Sequence, residues 1–225
     1  MSAPEETSNW YLDFINNSVY GMLAIDALWG AYCTVVVFMR LSQKNFKSEA
    51  LQDAFLTEMD ASLTKGDLKA AVELSEGDNR AVPQLANLAL ANHHLPMEKI
   101  QEMLIERFNR DVIMDLENRI NWINNVIKTA PMLGLLGTVL GMMAAFAKLA
   151  AGGKDGGVKP EALASDISFA LITTAIGLAI TIPATLSIAK INSSLKRLED
   201  LVTSGLGRFL ESLTNARKQS KMKGK

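Results

Sequence analysis

Thr138 and Thr174 each hold a hydroxyl inside a long uncharged run, on a face otherwise made of small residues. Gly134, Thr138, Gly141 and Ala145 follow one another at spacings of four, three and four, with Gly137 in the same run. Ala170, Thr174, Gly177 and Thr181 form a matching face, with Thr173 at its edge. In hydrocarbon such a face either packs closely on another helix or lines a polar path. A threonine hydroxyl suits both roles. It can bond its own i−4 carbonyl at little cost, or present lone pairs to a passing cation. Pro131 and Pro183 each remove one backbone bond near these faces, which reads either as a fixed bend or as a moving hinge.

Ion transfer through a bilayer needs an ionisable or coordinating group within the hydrocarbon depth. From Thr129 to Ala147 and from Ile167 to Ala189 there is no charged residue. The acid nearest Thr174 is Asp166, one turn before Ala170 and on the same face as Thr173. Ser165-Asp166 also reads as a helix N-cap at the outer boundary of that run, so a cap and an ion-relay carboxylate are both open. Asp26 interrupts an earlier apolar stretch. With that stretch shifted toward Arg40, whose long side chain reaches back to the surface, Asp26 falls near the outer headgroups; an interhelical hydrogen bond or a partner contact is the other reading. Lys148 reads as an anchor at the end of the second run. His93-His94 and Cys33 form no metal-ligating set, and no nucleophile–base grouping is present. The expectation is therefore a protein that is not an enzyme, without cofactor or metal.

The elements that must position these residues are helices. Three runs are long enough to span a ~30 Å hydrocarbon core. They divide the chain into an amino-terminal interfacial segment (1–18), spans at 19–40, 129–150 and 165–189, a soluble insert (41–128), a short loop (151–164), and a carboxyl-terminal helix with a basic tail (190–225). Lys and Arg are missing from the first 39 residues and gather at Arg40, Lys44 and Lys47, then again from Lys190 onward. The positive-inside rule thus puts the amino terminus outside and the insert and carboxyl terminus in the cytoplasm. Acidic residues and no basic region at the start argue against a cleavable signal peptide, and Trp10, Tyr11 and Tyr20 suit an outer aromatic belt. A net charge of −1 speaks against a nucleic-acid partner.

Within the insert, Asp67–Leu74 and Val82–Ala91 read as a helical hairpin about Gly77-Asp78-Asn79. Pro96 opens a helix with neither Gly nor Pro from Met97 to Ala130. Its apolar stripe runs through Ile100, Leu104, Phe108, Val112, Leu116, Ile120, Ile123 and Ile127. A second stripe runs from Ile191 through Leu195, Leu198, Val202, Leu206 and Phe209 to Leu213. The expected fold is an all-α membrane protein of three transmembrane helices with long cytoplasmic helical extensions, associating into a ring.

Leu133-Gly134-Leu135-Leu136-Gly137-Thr138-Val139-Leu140-Gly141-Met142 and Ala170-Leu171-Ile172-Thr173-Thr174-Ala175-Ile176-Gly177-Leu178, closed by Ile182-Pro183-Ala184, resemble the MotA/TolQ/ExbB family, most closely its ExbB/TolQ branch. The resemblance implies a homopentamer in the bacterial inner membrane around two copies of a single-span ExbD/TolR-like protein carrying a membrane Asp. It implies that Thr138 and Thr174 face the lumen, and that proton flow drives work on the envelope through a TonB/TolA-like protein; the two hydroxyls with backbone carbonyls could also coordinate sodium. The sequence departs at Phe169, where the branch carries Glu. A helical membrane scaffold that recruits cytoplasmic partners without conducting ions is the rival reading.

Overall fold

A chain crossing hydrocarbon must satisfy its backbone polar groups within its own segment, and each of the three apolar runs does so as a helix. The computed structural model describes residues 6–46, 48–152 and 160–223, with side chains for 18–46, 48–150 and 160–218. The helices are α1 (Glu6–Lys44), α2 (Glu49–Lys65), α3 (Leu68–Ser75), α4 (Ala81–Ala91), α5 (Met97–Phe108), α6 (Met114–Gly152) and α7 (Pro160–Lys223). A π-turn, Asn109–Ile113, joins α5 to α6. Among the described residues there is no strand. Trp10, Tyr11 and most of the 151–164 loop lie outside the residues whose side chains are described.

Among the described residues, three helical stretches are long and apolar enough to cross a membrane. Their surfaces agree: Leu135, Leu171 and Leu186 are 62%, 63% and 68% exposed, whereas Gly134, Gly137, Gly141, Thr173 and Gly177 turn inward. Exposed apolar surface of this extent is costly in water and natural in lipid. The protein is a multi-pass membrane protein.

Two compact units divide the described residues, one drawn from Met1–Val35 and Ile120–Ala189, the other from Val36–Arg119 and Lys190–Lys225. In the first, α1 lies against α6 at Gly30, where an added Cβ would come 2.8 Å from Val126 Cγ1. Trp29 meets Trp122 edge-on at 5.9 Å, and Tyr20 meets Phe169 edge-on at 5.2 Å. The buried row of α6 here is Ile120, Ile123, Val126 and Ala130. The expected stripe placed Ile127 where Val126 stands, because steps of four residues drift off a face that turns every 3.6.

The second unit is an ordinary hydrophobic core. Gly66 ends α2 with φ 79°, a left-handed position that suits glycine, and Asp67 caps α3 by accepting from the Ala70 amide at 3.1 Å. The hairpin about Gly77 is present as expected. Arg80 stacks over Phe46 at 3.9 Å and chelates Asp78, and that guanidinium holds the Asp78 carboxyl below the usual carboxylate range. Ile100, Leu104, Phe108, Val112 and Leu116 are all buried. The π-turn takes up part of the excess of their four-residue steps, and Ile113 joins the row. All seven residues of the carboxyl-terminal stripe, Ile191 to Leu213, are buried. Gln52, only 5% exposed, donates to the Leu201 carbonyl at 2.7 Å beside Gly205, a polar core contact that the apolar pattern does not signal.

Candidate functional site

The site is the seam between α6 and α7. An added Cβ would lie 2.9 Å from the Thr173 carbonyl oxygen at Gly134, 2.8 Å from the Asp166 carbonyl oxygen at Gly141, and 2.6 Å from the Ala130 carbonyl oxygen at Gly177. At Gly137 it would collide with the Thr173 side chain. The four glycines are therefore what lets two backbones touch. Pro131 and Pro183 both lie within unbroken helices.

Closeness of the backbones brings three hydroxyls to one carbonyl. The Gly134 oxygen lies 3.2 Å from Thr138 Oγ1, 3.1 Å from Thr174 Oγ1 and 3.4 Å from Thr173 Oγ1. A carbonyl has two lone pairs, and the helical bond already engages one. The three hydroxyls cannot all donate to it at once. Each has another outlet: Leu135 O at 2.9 Å for Thr138, Ala170 O at 2.9 Å for Thr173, and the two hydroxyls of Thr138 and Thr174 lie 3.1 Å apart. Protons can thus be rearranged without leaving a buried group unmet. Such a cluster can donate to a carboxylate, or accept from a protonated acid or a hydrated cation. Thr138 and Thr174 are half-buried. Thr173, expected at the edge of the face, is 0% exposed and sits at its centre.

The cap reading of Asp166 does not hold. α7 starts at Pro160, which puts Asp166 inside the helix, and it is 8% exposed. Its carboxylate is met by Lys148 Nζ, 2.8 Å from Oδ1 and 2.7 Å from Oδ2. Lys148, expected only to anchor the second span, bridges α6 to α7. The sequence held a signal for this pair, since opposite charges flank the ends of two uncharged runs joined by a short loop. Asp26 takes the interhelical alternative: Thr129 Oγ1 donates toward its carboxylate oxygens at 3.0 Å. Thr129 opens the second uncharged run, so Asp26 meets the Lys128 end of that run and not its Lys148 end. Among the described residues no group of His, Cys, Asp or Glu could hold a metal ion, and His93 Nδ1 lies 2.9 Å from the Leu90 carbonyl.

Residues 74–204, more than half of the 225-residue chain, match the MotA/TolQ/ExbB proton channel family. The chain belongs to that family. The matched region contains every residue of the α6–α7 seam and excludes α1 with Asp26. Biopolymer transport protein ExbB of Xanthomonas campestris pv. campestris is 28% identical over 179 residues, 72% of this chain and 68% of that protein. Tol-Pal system protein TolQ of Haemophilus influenzae is 36% identical over 106 residues, 47% of this chain and 43% of TolQ. A putative biopolymer transport protein ExbB-like 2 of Helicobacter pylori is 34% identical over 94 residues, 42% of this chain and 59% of that protein. These similarities place the chain on the ExbB/TolQ side of the MotA/TolQ/ExbB family.

Proposed function

We propose that this protein is the membrane-embedded channel subunit of an ion-driven envelope motor, working in biopolymer transport or a Tol-Pal-like system. The observation that carries the reading is the adaptable hydroxyl cluster of Thr138, Thr173 and Thr174 around the Gly134 carbonyl, in two apolar runs that carry no ionisable group of their own. Such a cluster serves a carboxylate brought by another chain. A single-span ExbD/TolR-like partner with a membrane Asp fits that need, with two copies inside a ring of five of these subunits in the inner membrane. The positive-inside distribution of Lys and Arg supports a periplasmic amino terminus, with residues 41–128 and 190–225 in the cytoplasm.

Ionised, the partner's Asp must find hydroxyl donors or water in the low-dielectric lumen; protonated, it need not. Each ion that arrives and leaves switches the partner between positions against successive Thr138/Thr174 pairs, and its periplasmic part delivers the stroke, directly or through a TonB/TolA-like protein. Hydroxyls and carbonyls at the seam would coordinate sodium as well as relay protons, with protons the expected ion.

Thr138→Val and Thr174→Val test this reading. Each deletes a hydroxyl whose neighbours keep other partners, so expression and the ring, followed by native mass spectrometry, should persist while ion-driven activity is lost. Full activity in both variants would leave the hydroxyls as packing groups and favour the non-conducting scaffold.

A further inference from the structure

The Asp166–Lys148 pair is built asymmetrically. The Asp166 side chain is 10% exposed and that of Lys148 36%, so the carboxylate lies on the closed side of the seam and the ammonium on the open side. Apart from the lysine contact, Asp166 Oδ2 has no hydrogen-bond donor. A carboxylate serving only to clasp two helices gains most when both oxygens are fully bonded, whereas this one relies on a single lysine that is itself partly exposed. Its backbone carbonyl packs on Gly141. From there Ala170 and then Thr173 and Thr174 follow on one face of α7, so the carboxylate stands about 12 Å along the helix from the hydroxyl cluster at ~1.5 Å per residue. Phe169, on the same helix, packs edge-on against Tyr20.

We propose that Asp166 is the cation-accepting carboxylate at the mouth of the α6–α7 path, and that Lys148 is its tethered counter-ion, displaced by each arriving cation. The proposal rests on the conduction reading and adds a residue, Lys148, to it. Conduction requires a mouth that binds strongly enough to capture and weakly enough to release. A lone carboxylate at the hydrocarbon boundary would hold its cation too firmly. A lysine already in place competes with the cation and returns when the cation moves on toward Thr174, so the mouth is never left as an unpaired charge.

The test uses membrane vesicles from the native host, with the chain replaced by each variant and flux driven by an imposed pH step or sodium step. Lys148→Met should lower the half-saturating cation concentration about fivefold, the gain expected when a competing partly exposed ion pair is removed, and should slow the maximal rate. Asp166→Asn should raise that concentration, and in its background Lys148→Met should have no further effect. The charge-reversed pair, Lys148→Asp with Asp166→Lys, should keep the ring by native mass spectrometry without regaining flux. Recovery of both ring and flux in the reversed pair would overturn the proposal and leave a structural clasp. Unchanged saturation in Lys148→Met and Asp166→Asn, with flux still lost in Thr138→Val, would overturn it while conduction stands. No ion-driven flux in the unmodified chain would overturn both.

Discussion

Gly177→Ala adds one methyl where α7 crosses the Ala130 carbonyl of α6. The new Cβ would stand 2.6 Å from that oxygen, 3.2 Å from its carbon and 3.4 Å from Pro131 Cα. All three are backbone atoms, so no rotamer change can make room. An unstrained carbon–oxygen contact is about 3.3–3.6 Å, and α6 and α7 must part by roughly 0.7 Å or more. Overpacking of this kind costs about 1–3 kcal/mol, while alanine's helix propensity returns roughly 1 kcal/mol. The net loss is then about 0–2 kcal/mol, or up to about 8 °C in Tm for a chain of this size. Gly207→Ala is the control: it lies in the same helix with nothing within 4 Å of the added Cβ, and should gain about 2–4 °C. Thermal melts in mild detergent, read by tryptophan fluorescence, give both numbers. A Gly177→Ala protein as stable as Gly207→Ala would refute the close approach, and with it the geometry that gathers three hydroxyls at Gly134.

The other expectations concern titration and helix docking. Asp78 has its folded-state carboxyl lowered below its ordinary 3.8 by Arg80, so its contribution is complete above that value and is lost as pH falls through the lowered one. Amide exchange across the Gly77–Val82 turn should accelerate below about pH 4, and Asp78→Asn should abolish that acid limb. Asp26→Asn and Thr129→Val should show a coupling of about 0.5–1.7 kcal/mol in a double-mutant cycle in detergent; strict additivity would mean that the α1–α6 hydrogen bond contributes nothing.

Three helical runs and all of the two long stripes but Ile127 were legible in the residues, because lipid leaves a spanning backbone few options and because apolar period is a local property. So was the membership of Thr138, Thr174, Gly134, Gly141 and Gly177 in two facing small-residue surfaces. Other features depend on how one helix sits against another, which period alone does not state. Thr173 lies at the centre of the seam and not at its edge, since α7 presents Ala170, Thr173 and Gly177 to α6. Asp166 is an ion-paired residue inside a helix and not a cap, since α7 begins at Pro160 and Lys148 reaches across. Asp26 meets Thr129, since α1 and α6 close on Gly30 and Val126. Local chemistry told which groups this chain owns; only tertiary packing, by setting helix register and rotation to within a few ångströms, decided which of them meet.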